Sequence, residues 1–244
     1  MYYRKLVSVA VALLMALAAV WAVSATPKTN DENEQRRLQT IEPLNLAILI
    51  QDDLVPQVSN EIGVTRDFIR SLPQGSQVMV AYITAGTLQV RQPFTNDLDK
   101  AARSLRIPTA SITSAPFNPY VEVIEALRKF EKDGTNANAL LLISDGLDTS
   151  RGFDSTAAGH TLDIDRTINE ARKRNVSIFS FYAPSVGLTS HNRLASSYGQ
   201  SSLNRVSNET GGKAFFQGTS GFVTFNSYFS RLRETLNRQY ARAR

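Results

Sequence analysis

The chain has 244 residues, 42% of them hydrophobic and 20% charged, with no cysteine, two histidines and a formal net charge of +5. That leaves room for one large domain with ample core, and so ordinary a composition excludes wholesale disorder. Without cysteine there can be no disulfide, thiolate nucleophile, zinc ribbon or iron–sulfur cluster, and two histidines leave little for a His-rich metal site.

The positive charge is concentrated at the two ends. Arg4 and Lys5 contribute +2, and the five arginines between 231 and 244 outweigh Glu234 to contribute +4, so of the formal +5 the residues between carry −1. A near-neutral body with no basic, aromatic-interleaved face argues against nucleic acid as a partner.

Residues 6–23 form an uncharged run of 18, rich in Ala, Val and Leu, directly after the basic pair. A short basic region, an apolar run and the small residues Val23-Ser24-Ala25 make residues 1–25 a signal peptide or an N-terminal membrane anchor. Either outcome carries the remaining chain out of the cytoplasm, because the positive residues stay inside. The expected location is therefore periplasmic, secreted or anchored, with the membrane touched only through this segment if it is uncleaved. Residues 26–43 read as a polar linker.

From Leu44 the pattern changes to alternating strands and helices. The run LNLAILI at 44–50 is a strand buried on both faces, and Val58, Ile62, Thr65, Ile69 and Leu72 recur at helical spacing until Pro73-Gln74-Gly75. Residues 77–84 and 87–91 read as a hairpin about Ala85-Gly86, followed by a helix over 96–105. Asn118-Pro119 opens a helix with Tyr120, Val123, Ile124, Leu127 and Phe130 on one face. The strand 139–144 (ALLLIS), a helix over 165–174 and the strand 176–182 (VSIFSFY) come next. Residues 183–202, rich in Ser, Gly and Asn, read as a long loop. A short strand at 213–216 and a helix over 222–240 close the domain, leaving 241–244 as a basic tail.

This order predicts an α/β fold: a doubly wound, mostly parallel central sheet with one antiparallel edge strand and helices on both faces. None of the 13 glycines forms a G-x-G pair, and no G-K-[ST] loop is present, so the dinucleotide and P-loop fingerprints are absent. Ligands of such sheets bind beyond the C-terminal strand ends. Two apolar strands end there in acidic turns, Gln51-Asp52-Asp53 and Asp145-Gly146.

The segments LAILIQDD, LLLISDGLDTS, SIFSFYAP and ETGGKAF, in that order, resemble a von Willebrand factor A-type (integrin I-like) domain, and more narrowly the bacterial VWFA-related group. The resemblance spans about residues 44–240. It implies a metal-ion-dependent adhesion site built from Asp-x-Ser-x-Ser after the first strand, a Thr in a later loop and an Asp after the fourth strand. Here those positions fall on Gln51, Asp53 and Val55, on Asn118, and on Asp145. Asp145 alone keeps the family's residue, and Val55 has no oxygen to offer.

Two expectations follow from that departure. Asp53, Asn118 and Asp145, with Asp52 as a further candidate, could form a remodelled oxygen site for Mg²⁺ or Ca²⁺. Alternatively the metal site is lost, and the loops Gln51, Asp52, Asp53, Asn118, Asp145 and Asp148 recognise a protein partner by hydrogen bonds. His160 and His191 lie in polar loops without a neighbouring nucleophile, so they read as solvated rather than catalytic. The expected function is an exported, non-enzymatic protein-binding module with a degenerate adhesion site. A divalent-metal hydrolase using the same carboxylates and a passive structural envelope protein remain open as alternatives.

Overall fold

The computed structural model describes residues 43–110, 118–131, 136–153, 161–217 and 223–240. The chain divides into two units, Met1–Thr40 and Ile41–Arg244, and every described residue belongs to the second. The signal or anchor segment, the linker up to residue 42, His160 and the tail 241–244 lie outside the described residues. Among the described residues no helix is long and apolar enough to cross a membrane.

Six strands form one sheet: β1 (Leu44–Gln51), β2 (Gln77–Thr84), β3 (Thr87–Thr95), β4 (Ala137–Ser144), β5 (Val176–Tyr182) and β6 (Ala214–Phe215). Their order is β3-β2-β1-β4-β5-β6, all pairs parallel except the β2–β3 hairpin at one edge. The helices are α1 (Glu61–Arg70), α2 (Leu98–Ser104), α3 (Pro119–Leu127), α4 (Leu162–Lys173), the short α5 (Leu188–His191), α6 (Arg193–Glu209) and α7 (Asn226–Tyr240). A 3₁₀ turn, Pro56–Asn60, precedes α1. The doubly wound sheet expected from the sequence is the sheet observed.

β1 sits in the middle because it is apolar on both faces. Leu46, Ile48 and Ile50 point into one core layer with residues of α1, α2 and α7. Ala47 and Leu49 point into the other, with residues of α3, α4 and α6. Alternation along a strand sends neighbours to opposite faces, so a continuous apolar run needs a cover on each. In the first layer the Phe181 ring meets Phe215, Phe225, Tyr228 and Phe229 at centroid distances of 5.5, 5.4, 5.3 and 4.8 Å. This aromatic cluster fixes α7 against β5 and β6.

The main correction concerns residues 183–202. They are not a long loop: α5 and the first ten residues of the 17-residue α6 lie within them. The Asn192 carboxamide caps α6 by accepting from the backbone N–H of Leu194 (2.9 Å) and Ala195 (3.1 Å). Its buried face is made of Ala195, Ser196, Gly199, Gln200 and Ser202 before Leu203 and Val206. Small and polar residues turned inward erase the apolar stripe by which an amphipathic helix is recognised. Smaller corrections follow the same lines. β3 extends to Thr95, β6 is two residues long, α7 begins at Asn226, and α4 begins at Leu162 with Thr161 at the cap position, leaving Asp163 and Asp165 in its first turn.

Gly199 has a specific reason to be glycine. A Cβ there would stand 1.9 Å from the carbonyl oxygen of Asp145, so α6 can lie against the β4 turn only without a side chain. Gly199→Ala should cost about 1–3 kcal/mol, in the range of core overpacking. The measurement is the urea midpoint; an unchanged midpoint would refute this packing account.

Candidate functional site

The C-terminal ends of β1 and β4 lie side by side, and one neutral side chain joins them. The Gln51 carbonyl oxygen accepts from the Ser144 hydroxyl (2.5 Å) and from the Asp145 backbone N–H (3.2 Å). Its amide nitrogen donates to Asp53 Oδ1 at 2.7 Å. Asp145 is buried; its Oδ1 accepts from Leu147 N–H (3.1 Å) and its Oδ2 from the Thr189 hydroxyl (3.0 Å). Thr189 in turn stands 3.0 Å from the Ser185 hydroxyl, in the segment after β5. The turn after β1 is stitched to that segment by Val55 N–H to Pro184 O (3.0 Å) and Val186 N–H to Asp53 O (2.8 Å).

Two carboxylates in such a place resist ionisation. Burial, then the neighbouring Asp145 charge, pushes the Asp53 pKa up to about 6, against the lowering effect of the Gln51 amide. Burial also raises Asp145, opposed by the hydrogen bonds it receives from Leu147, Ser185, Thr189 and Gln51.

Asp52 is turned to a different task. Its carboxylate takes a bidentate pair from Arg106 (2.6 and 2.9 Å), plus the Thr84 hydroxyl (3.0 Å) and Thr109 N–H (3.0 Å). Burial raises its pKa, but Arg106 and these other donors outweigh it and hold the group below its usual range. The same guanidinium lies 4.1 Å above the Tyr82 ring, whose hydroxyl donates to Arg106 O (2.5 Å). Asp52 thereby fixes the segment 105–110 at the strand ends. Arg106 carries no motif that a sequence scan could find; it lies 54 residues from its partner.

Asn118 is the N-cap of α3, its oxygen accepting from Tyr120 N–H (3.0 Å) and its amide nitrogen donating to Asp163 Oδ2 (2.9 Å). Asp148 accepts from the backbone N–H and hydroxyl of Ser150 (2.9 and 2.7 Å) in a local turn. Of the sequence-derived residues, then, the structure brings together Gln51, Asp53 and Asp145, and directs Asp52, Asn118 and Asp148 to other partners. Among the described residues no group of three or more His, Asp or Glu is arranged to hold a metal ion. Gln51, Asp52, Asn118 and Asp145 are buried, while Asp53 and Asp148 reach solvent in part.

This end of the sheet also exposes apolar side chains. Ile107 (59% exposed), Val121 (49%), Leu162 (58%), Leu188 (37%), Leu194 (50%) and Phe216 (36%) are the large hydrophobic side chains left in solvent among the described residues. Val121, Leu162, Leu188 and Leu194 stand in the first turns of α3, α4, α5 and α6, Ile107 in the segment pinned by Asp52, and Phe216 directly after β6. All six therefore belong to the C-terminal end of the parallel strands.

No protein-family model matches the chain, and no curated protein matches it. Among solved structures it is similar to BatB from Bacteroides thetaiotaomicron at 14% identity, covering 81% of this chain and 99% of that one, with a TM-score of 0.53. It is also similar to an aerotolerance-related membrane protein from Bacteroides fragilis, at 13% identity over 80% and 99% of the two chains, with a TM-score of 0.51. The human COPII-coat protein Sec24c shares the fold over 81% of this chain and 33% of its own, at 13% identity and a TM-score of 0.51. At these identities the likeness is one of fold. The chain has a von Willebrand A-like fold, as its strand order and its similarity to these structures show.

The Asp53 shift sets a pH dependence of known sign. Unfolded chain releases this proton near 3.8 and folded chain near 6, so between those values the native state binds more protons. Stability contributed by Asp53 therefore falls as pH rises through that window and stays low above it. Asp53→Asn keeps the acceptor for Gln51 and removes the titration. The variant should melt higher than the parent at pH 7.5 and level with it at pH 4; equal melting temperatures at both pH values would exclude the shift.

Proposed function

We propose that this chain is an exported, non-enzymatic protein-binding module that engages its partner with the C-terminal strand-end surface and without a bridging cation. The observation that carries the reading is that the six large hydrophobic residues exposed among the described residues all stand at that end, around a polar network already satisfied within the protein. Apolar patches that monomers leave uncovered mark interaction sites, and their central residues dominate binding energy. Asp53 and Asp148 supply the polar rim. Gln51, Asp52, Asn118 and Asp145 serve as supports beneath it, holding the turns in register.

Export follows from the basic and apolar N-terminal segment. The name of the Bacteroides fragilis protein, a membrane protein, is consistent with an envelope location. The hydrolase alternative has less support. The two carboxylates it needs are engaged by Gln51, Leu147 and Thr189, and Asn118 is occupied as a helix cap.

The test is capture of envelope proteins by the full chain, with and without chelator, and by Ile107→Asp and Leu194→Asp variants. The proposal expects a partner retained in chelator and depleted at least tenfold by either variant. Capture that chelator abolishes, or that both variants leave intact, would overturn it.

A further inference from the structure

The opposite end of the sheet, where the parallel strands begin, contains a cavity of about 710 Å³. It arises because β3 is an edge strand. On one face α2 packs against β2 and β3, whereas on the other α3 ends at Leu127 and the chain turns away through Phe130. The floor and walls are Met79, Val90, Pro93, Phe94 and Phe130. Phe94 and Phe130 meet edge to face at 4.9 Å, which sets the wall in one orientation. Met79 is fully buried, and an unbranched thioether adapts readily to the shape of a bound body.

The mouth is polar and ordered. Asn45 donates to Asn138 Oδ1 (3.0 Å), and Asn136 donates to Gly75 O (3.1 Å) and approaches Asn45 Oδ1 (3.4 Å). Gln77 adds a further carboxamide to the lining, engaged in no hydrogen bond with the described residues. Lys129 and Glu131 also line the cavity, and Lys129 stands 3.7 Å from Glu125.

We propose that this cavity is a binding site for a small uncharged amphipathic molecule. Its ring or chain body lies against Val90, Phe94 and Phe130, above the buried Met79, and its hydrogen-bonding head meets the carboxamides of Asn45, Gln77 and Asn136. The volume lies within the roughly 300–1,000 Å³ typical of small-ligand pockets, and an apolar interior with a few convergent polar groups is their usual construction. The lining carries one cation and one anion, Lys129 and Glu131, so it offers a charged head no net attraction, whereas its three carboxamides suit a neutral hydrogen-bonding one. The site lies at the other end of the sheet from the partner-binding surface and does not depend on that reading.

The probe is N-phenyl-1-naphthylamine, an uncharged body of aromatic rings with one N–H. The chain contains three methionines, Met1, Met15 and Met79, so methyl-labelled methionine gives three signals and places one on the cavity floor. Titrating the full chain should shift the Met79 methyl signal saturably with one equivalent. Met1 and Met15 report any partition of the probe into the apolar N-terminal segment or detergent, and should not move in step. Val90→Trp, at a half-exposed edge-strand position, fills the cavity and should weaken the Met79 response at least tenfold. Val121→Ser, at the far end of the sheet, should leave it unchanged. A Met79 signal that stays still at saturating probe would overturn the proposal. So would an undiminished response in folded Val90→Trp, or an equal loss in Val121→Ser; if Val90→Trp fails to fold, the wild-type titration alone decides.

Discussion

The Gln51 carboxamide is the contact on which the strand-end surface depends. Beyond β1 and β4 the chain must turn while backbone N–H groups, a serine hydroxyl and two carboxyl groups lie together in partly or fully buried positions. A buried polar group without a partner costs about 1–3 kcal/mol, so the arrangement survives only if each is answered. Gln51 answers three at once: its oxygen takes Ser144 and the Asp145 N–H, and its nitrogen serves Asp53. Carboxylate at this position would add a third negative charge beside Asp53 and Asp145, and would call for a cation. An amide needs none.

From that junction the surface is assembled outward. Asp145, held by Thr189 and Leu147, ties β4 to the segment after β5. Asp52 reaches the other way and, through Arg106, fixes the segment carrying Ile107. Truncating one member of such a buried pair is expected to cost more than the pair contributes, because the remaining charge is stranded. Asn118 links the first turns of α3 and α4, each of which presents an exposed hydrophobic residue. Polar groups beneath and apolar groups above are thus parts of one construction. The underlying network sets positions, and the apolar side chains around it are left in solvent.

Sequence reading recovered the strands that are apolar on both faces, since β1, β4 and β5 need only local composition to be recognised. It also placed Gln51 and Asp53 at the end of one strand and Asp145 at the end of another, and the structure makes those strands neighbours. It missed α6, whose buried face is Ala, Ser, Gly and Gln, because the helix lies too close to the Asp145 turn for larger residues. Asn118 was open to both readings: an Asn before Pro is a helix-cap signal as well as an oxygen donor, and the structure uses it as the cap. The role of Asp52 was not legible, because its meaning depends on an arginine brought near by the fold and not by spacing. The cavity was equally hidden. It is a property of where α3 stops relative to the sheet edge, not of any residue pattern.

The central claim is that a neutral amide, rather than a cation, organises the strand ends. Its most direct test is the melting temperature of the wild-type chain and of Gln51→Leu, each with and without millimolar Mg²⁺ or Ca²⁺. The account predicts that the cations leave the wild type unmoved. Gln51→Leu should fall by several degrees, as expected when buried polar groups lose their partner. A wild-type melting temperature raised several degrees by either cation, the mark of preferential binding to the folded state, would contradict the account. So would a Gln51→Leu chain as stable as its parent.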